Sequence, residues 1–197
     1  AKENNINEIV VVGEASHCES EIYCDLYWKK FGIDYIVRAF KLTREIYPEA
    51  KLIYEDANNH IPGTAASKAT MEIVERLAQE DLIDYVGIEM HIYQNSLPNE
   101  SDLVSEFNKY PIPVVITSFA AHIDYLPENS RNEEMTRITK IVFDGCLESN
   151  NCLSISTWGE SDTNSWDESY LLRDEDNNRK TAYYVAMQSM FLHLDVP

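Results

Sequence analysis

Two polar residues stand where buried apolar runs stop. Glu14 ends the run Ile9-Val-Val-Val-Gly13, and Ser118 ends the run that starts at Pro113. Short runs rich in β-branched residues read as strands of a parallel sheet covered on both faces. In a parallel barrel, reacting groups project from the C-terminal ends of the strands. Two carboxyl groups placed that way make the acid and the nucleophile of a retaining glycoside cleavage. Here one of the two ends is a carboxylate and the other a hydroxyl. A serine hydroxyl attacks poorly unless a base activates it, so the chain presents half of such a pair.

The elements that must hold these residues alternate regularly. Strands are predicted at Glu8–Gly13, Lys51–Glu55, Tyr85–Met90, Pro113–Ser118 and Leu153–Trp158. Helices are predicted near Tyr27–Tyr47, Thr64–Glu80, Ser101–Lys109, Asn132–Ser149 and Lys180–Leu192. The first helix has Ile33, Ile36, Val37, Phe40 and Ile46 at helical spacing and stops before Pro48. Ser101 is the expected N-cap of the third. Five βα units imply a parallel α/β sheet. Five strands do not close an eight-stranded barrel. The sheet is therefore either open and doubly wound, or the last five units of a barrel whose first three lie elsewhere. No glycine-rich phosphate loop follows any strand, which argues against a nucleotide site.

Composition narrows the classes of partner. The chain has 197 residues and a net charge of −18, a balance that repels nucleic acid and anionic membranes. With 44% apolar residues, it has enough to build a core and is not a disordered chain. No apolar run reaches the roughly twenty residues of a membrane span. No signal peptide is visible, and Ala1–Asn7 reads as the last turn of a helix. The cysteines fall in two close pairs, Cys18 with Cys24 and Cys146 with Cys152. Neither spacing is a zinc pattern. The even count permits two local disulfides, with the second pair favoured, and suggests an extracellular protein.

Several segments, in order, resemble glycoside hydrolase family ten, the retaining β-1,4-xylanases. They are Val11–Ala15 (Val-Val-Gly-Glu-Ala), Trp28–Ile36, Tyr85–His91 (Tyr-Val-Gly-Ile-Glu-Met-His), Ile116–Phe119, Cys146–Trp158, Asp162–Trp166 and Ala182–Tyr184. The resemblance spans about Ile9 to Gln188 and implies a (β/α)8 TIM barrel. The whole chain, 1–197, would be one catalytic barrel supplying the fourth to eighth βα units. The first three units, with their sugar-contacting residues, would be absent. Closure would then need a complementary barrel fragment or self-association, because an open sheet edge leaves backbone groups unpaired.

The resemblance also assigns roles. Glu14 matches the general acid/base, and Ser118 stands where the family has its nucleophilic Glu. Gly13 replaces an Asn that would bond the sugar 2-hydroxyl, and Ala120 stands where an acidic residue is usual. Glu55 and Glu89 stand where the family favours Asn and Gln, and Ala57 stands where it often has Tyr. His91 matches a histidine of the site, while Trp158 and Trp166 match aromatics that line the sugar cleft. His122, Asp124 and Tyr125 read as loop residues, with His122 near the site. The departures cluster at strand ends while the scaffold motifs persist. That pattern reads as deliberate redesign of the pocket, with a natural degenerate homologue as the alternative.

Three functions follow as expectations. The first is a xylanase-like barrel that binds a xylooligosaccharide but hydrolyses it weakly or not at all, with glycosynthase behaviour a further option. The second is proton abstraction from a small aromatic ligand by Glu14 or Glu89, in room made by Gly13, Ala57, Ser118 and Ala120. Three carboxyls crowded together should hold at least one proton near neutrality. The third is a barrel fragment that assembles without activity. No cofactor is expected. A divalent metal held by the carboxyls with His91 is a minor alternative, since the spacing matches no metal signature.

Overall fold

The computed structural model describes residues 7–15, 26–93, 96–165 and 170–193. The calls on Ala1–Asn7 and on the Cys18–Cys24 pair, and the placement of Trp166, lie largely or wholly outside them. The strands are β1 (Glu8–Gly13), β2 (Lys51–Ala57), β3 (Tyr85–Ile92), β4 (Val114–Ala121) and β5 (Cys152–Thr157). They form one sheet in the order β1-β2-β3-β4-β5, every neighbouring pair parallel. The helices are α1 (Leu26–Phe31), α2 (Asp34–Ile46), α3 (Ala65–Ala78), α4 (Glu100–Asn108), α5 (Glu128–Glu148) and α6 (Thr181–His193).

A strictly sequential order settles the choice between the two sheets. Right-handed crossovers that always step the same way put every helix on one face. A doubly wound sheet must reverse its order to cover both faces. The sheet is therefore an arc of barrel wall.

Alternation along the strands then assigns the two faces. Leu52, Tyr54, Val86, Ile88, Met90 and Ile116 point outward into one buried cluster with Ile36, Phe40, Leu77, Phe107 and Val142. Ile53 and Val115 are buried on the other face and floor the space beneath the polar strand ends. Interior packing of this kind contributes on the order of 1.5–3 kcal/mol per large apolar side chain.

Polar ties hold the N-terminal ends of the strands. The Asp84 carboxylate accepts from Arg44 Nη2 at 2.6 Å and from the Leu52 backbone N–H at 2.9 Å, joining α2, β2 and the approach to β3. Asn151 Nδ2 donates to the carbonyls of Phe107, Tyr110 and Ile112 at 2.9–3.1 Å. Cys146 and Cys152 form the expected disulfide between α5 and β5.

The two flanks of the arc are exposed. Val10 on β1 is 43% exposed and Leu153 on β5 is 58% exposed. Helix α6 is largely apolar, with Gln188 and Ser189 the only polar residues between Thr181 and His193, yet Tyr184, Phe191 and Leu192 are exposed. A helix that is hydrophobic all round is one built to be covered.

Several boundaries differ from the sequence reading. The first predicted helix is two, α1 and α2, because Gly32 turns the chain with φ +56°, a conformation glycine adopts without strain. Asn99, not Ser101, caps α4, its side chain accepting from Asp102 N at 2.9 Å. Ser101 instead donates to Asn99. Strand β4 runs past Ser118 to Ala121, with a register irregularity between Ile116 and Phe119.

Candidate active site

A cleft of about 460 Å³ opens at the C-terminal ends of the strands. Its lining includes Glu14, Glu55, Ala57, Glu89, His91, Ser118 and Trp158. The sequence had marked every one of these residues. Asn58, Tyr93 and Thr117 also line it and were not foreseen as site residues. The two carrying the weakest signal, Asn58 and Thr117, simply neighbour marked positions. Tyr93 is an aromatic two residues beyond His91, at the end of a strand longer than expected, and that spacing could have found it.

Each strand delivers its residue by a local device. Glu14 follows β1 with φ +54°, an uncommon left-handed conformation for a side-chain-bearing residue. Its backbone N–H donates to the Glu55 carbonyl at 3.0 Å, which extends the ladder one step beyond the strand. Glu55 needs Gly87 on the neighbouring strand, because a Cβ at Gly87 would sit 2.5 Å from Glu55 Cβ. A Cβ at Gly13 would sit 3.2 Å from Glu55 Oε1. The Glu55 side chain therefore occupies the space that the small residue at 13 releases, and Gly13 opens no empty room. Ala120 is fully buried within β4 and does not line the cleft either. The emptied volume expected at those two positions is not there, and Ala57 and Ser118 are the small residues on the cleft wall.

Glu89 on β3 is in register with Ser118 on β4, and the Glu14 carboxyl lies within hydrogen-bonding reach of it. Burial, then the charges of Glu14, Glu55 and Asp56, push Glu89 up to about 8. It therefore holds its proton at neutral pH. Burial raises Glu55 also, with Glu14 and Asp56 adding to it and the Thr117 hydroxyl beside it opposing. Asp56 itself points outward and accepts from the Tyr54 hydroxyl at 2.5 Å.

Aromatic rings form the opposite wall. His91 Nδ1 and His122 Nε2 share a hydrogen bond at 3.1 Å, with the rings stacked at 5.2 Å. Tyr93 stacks on His122 at 4.1 Å and 9°, and His91 lies 5.5 Å from Trp158. Trp158 is placed by its backbone N–H, which donates to the Phe119 carbonyl at 3.0 Å. His122 thus backs the site. Asp124 lines a separate cleft near α5 and Tyr125 is exposed. Trp166 lies outside the described residues. Among the described residues, no group of three or more His, Cys, Asp or Glu is arranged to hold a metal ion.

Comparison with known proteins places this fold among the barrels of one family. Residues 2–189 match the profile of glycosyl hydrolase family 10. Endo-1,4-beta-xylanase 5 of Pyricularia oryzae is 29% identical over 161 residues, covering 79% of this chain and 40% of that protein. The endo-1,4-beta-xylanase A of Humicola insolens is 26% identical over 192 residues, covering 91% of this chain and 50% of that protein. The chain thus spans about half the length of the curated relatives it matches. Among solved structures, xylanase 10B of Thermotoga petrophila in complex with xylobiose superposes with a TM-score of 0.81 at 25% identity. That match covers 94% of this chain and 60% of the other. Native xylanase 10B of Thermotoga maritima superposes with a TM-score of 0.82 at 24% identity, covering 96% and 61%.

Proposed function

The chain belongs to glycosyl hydrolase family 10, and from that premise we propose that it is the sugar-binding part of a xylanase-like barrel in which retaining hydrolysis is lost or very weak. One observation carries this reading: Glu14 and Ser118 line the same cleft, and β4 supplies a hydroxyl where a carboxylate would attack. Glu14 is suited to give a proton to a leaving glycosidic oxygen. Retention needs a second carboxylate that attacks the anomeric carbon and offsets the charge of the oxocarbenium-like transition state. Ser118 does neither, because a neutral hydroxyl carries no negative charge and attacks poorly. The expected loss is several orders of magnitude in kcat. The chemistry is the same whether the replacements arose by design or by drift.

A xylooligosaccharide fits the site as ligand. The relative from Thermotoga petrophila was solved with xylobiose, and Trp158 offers a flat ring at the cleft wall. The test is release of reducing sugar from xylan by the intact protein and by its Ser118→Glu variant. The reading predicts little or no release by the former and a gain of at least about a hundredfold in the latter. Vigorous hydrolysis by the unaltered protein would overturn it.

A second reading is favoured by the proton held at Glu89. A carboxyl near 8 is tuned for general acid–base work at neutral pH. The cleft would then transfer a proton to or from a small ring-shaped substrate, and a Glu89→Gln change would abolish the resulting pH profile. The exposed flanks of β1 and β5 and the uncovered apolar surface of α6 support completion of the barrel by three further βα units. The Cys146–Cys152 disulfide supports an oxidising, extracellular setting. Among the described residues, no helix is long and apolar enough to cross a membrane.

A further inference from the structure

Resting on the reading of this cleft as the ligand site, we propose that its occupant carries a protonated amine, held by Glu14, Glu55 and Glu89 together with the Ser118 hydroxyl. The chemical class is an ammonium group on a ring of sugar or aromatic size.

Three carboxyl groups from three adjacent strands line the cleft, and no lysine or arginine is among the described residues lining it. Asp56 adds its charge from behind β2. A neutral sugar offers hydroxyls but no charge to offset this crowding. Ser118 supplies an independent observation. It is 4% exposed, it lines the cleft, and its hydroxyl has no hydrogen-bond partner among the described residues. The hydroxyl therefore opens onto the cleft and offers a ligand donor one more acceptor. The cleft is therefore rich in acceptors, and an ammonium brings three N–H donors and one positive charge. Trp158 and Tyr93 also line the cleft, and aromatic rings attract cations.

Binding of a cation favours the ionised carboxyls and so expels the proton that Glu89 holds. Affinity must then rise as pH climbs from 6 to 8. Among the described residues, the titratable groups around Glu89 are Glu14 from the end of β1, Glu55 and Asp56 from β2, and His91 from β3. The lining residues Thr117 and Ser118 from β4 and Trp158 from β5 carry none.

The test is calorimetric titration of the intact protein with benzylamine, with its neutral near-isostere benzyl alcohol, and with xylobiose. At pH 8 benzylamine should bind at least about tenfold tighter than benzyl alcohol. The preference should shrink severalfold at pH 6 and fall in Glu89→Gln. Ser118→Ala should weaken the amine as well, and the pH dependence of the unaltered protein stands even if a variant fails to fold. Equal affinities, absence of amine binding at pH 8, or a preference that ignores pH would overturn the inference. Xylobiose separates it from the carbohydrate reading. Xylobiose binding without amine preference overturns this inference alone, and amine preference without xylobiose binding upholds it while overturning the sugar ligand.

Discussion

Replacing Glu89 with glutamine isolates the charge crowding at the centre of the cleft. Glutamine keeps the shape of the protonated carboxyl and can still donate toward Glu14. Glu89 binds its proton more tightly folded than unfolded, because its carboxyl rises from 4.5 to about 8 in the fold. Stability is therefore full below about pH 4.5 and is lost as pH rises through about 8. At about 1.36 kcal/mol per pH unit, complete desolvation would set a ceiling of about 5 kcal/mol. Glu89 opens onto the cleft, and solvent there screens the neighbouring charges. The expected effect is accordingly roughly 2 kcal/mol. Urea unfolding at pH 5 and pH 9 measures it. At pH 5, just above the unfolded carboxyl's range, the variant should be the more stable by less than about 1 kcal/mol, and at pH 9 by that full amount. Comparing the two proteins at each pH cancels the titration of groups that Glu89 does not touch. A difference equal at both pH values, or one favouring the unaltered protein at pH 9, would refute the reasoning.

Two further outcomes test the framework. Removing the disulfide by Cys146→Ser with Cys152→Ser frees a short loop and should cost roughly 2 kcal/mol, read as a lower urea midpoint. Gly87→Ala drives a Cβ to within 2.5 Å of Glu55 Cβ and should cost about 1–3 kcal/mol in urea unfolding, whereas Gly13→Ala meets only the movable side chain of Glu55 and should cost less in the same assay.

How far the sequence spoke depended on the range of the signal. Glu14 and Ser118 were legible because each terminates an apolar run, a purely local cue. The five-strand parallel sheet was legible for the same reason, and its sequential order then separated a barrel arc from a doubly wound sheet. The break at Gly32 was hidden because Ile33, Ile36, Val37 and Phe40 keep helical spacing right after it and no proline marks it, while a single positive φ turns the chain. Asn99 and Ser101 are both good caps, and only the geometry following Pro98 decides between them. The partnership of Gly13, Glu55 and Gly87 was invisible, since it joins three strands through side-chain volume. Gly13 was read as added space, yet the carboxyl of a residue forty-two positions later fills it. Likewise the identity of Tyr93 as a wall residue waited on how far β3 extends.

The central claim is that position 118 faces the reacting carbon across from Glu14 and has lost its attacking group. A small anion can supply the missing attack if that is so. Product analysis after incubation of the intact protein with a dinitrophenyl β-xylobioside and sodium azide tests it most directly. The claim predicts azide-dependent release of dinitrophenolate with formation of the α-xylobiosyl azide, and no such product once Ser118→Glu fills the space. Turnover unaffected by azide, or an azide product of β configuration, would contradict it.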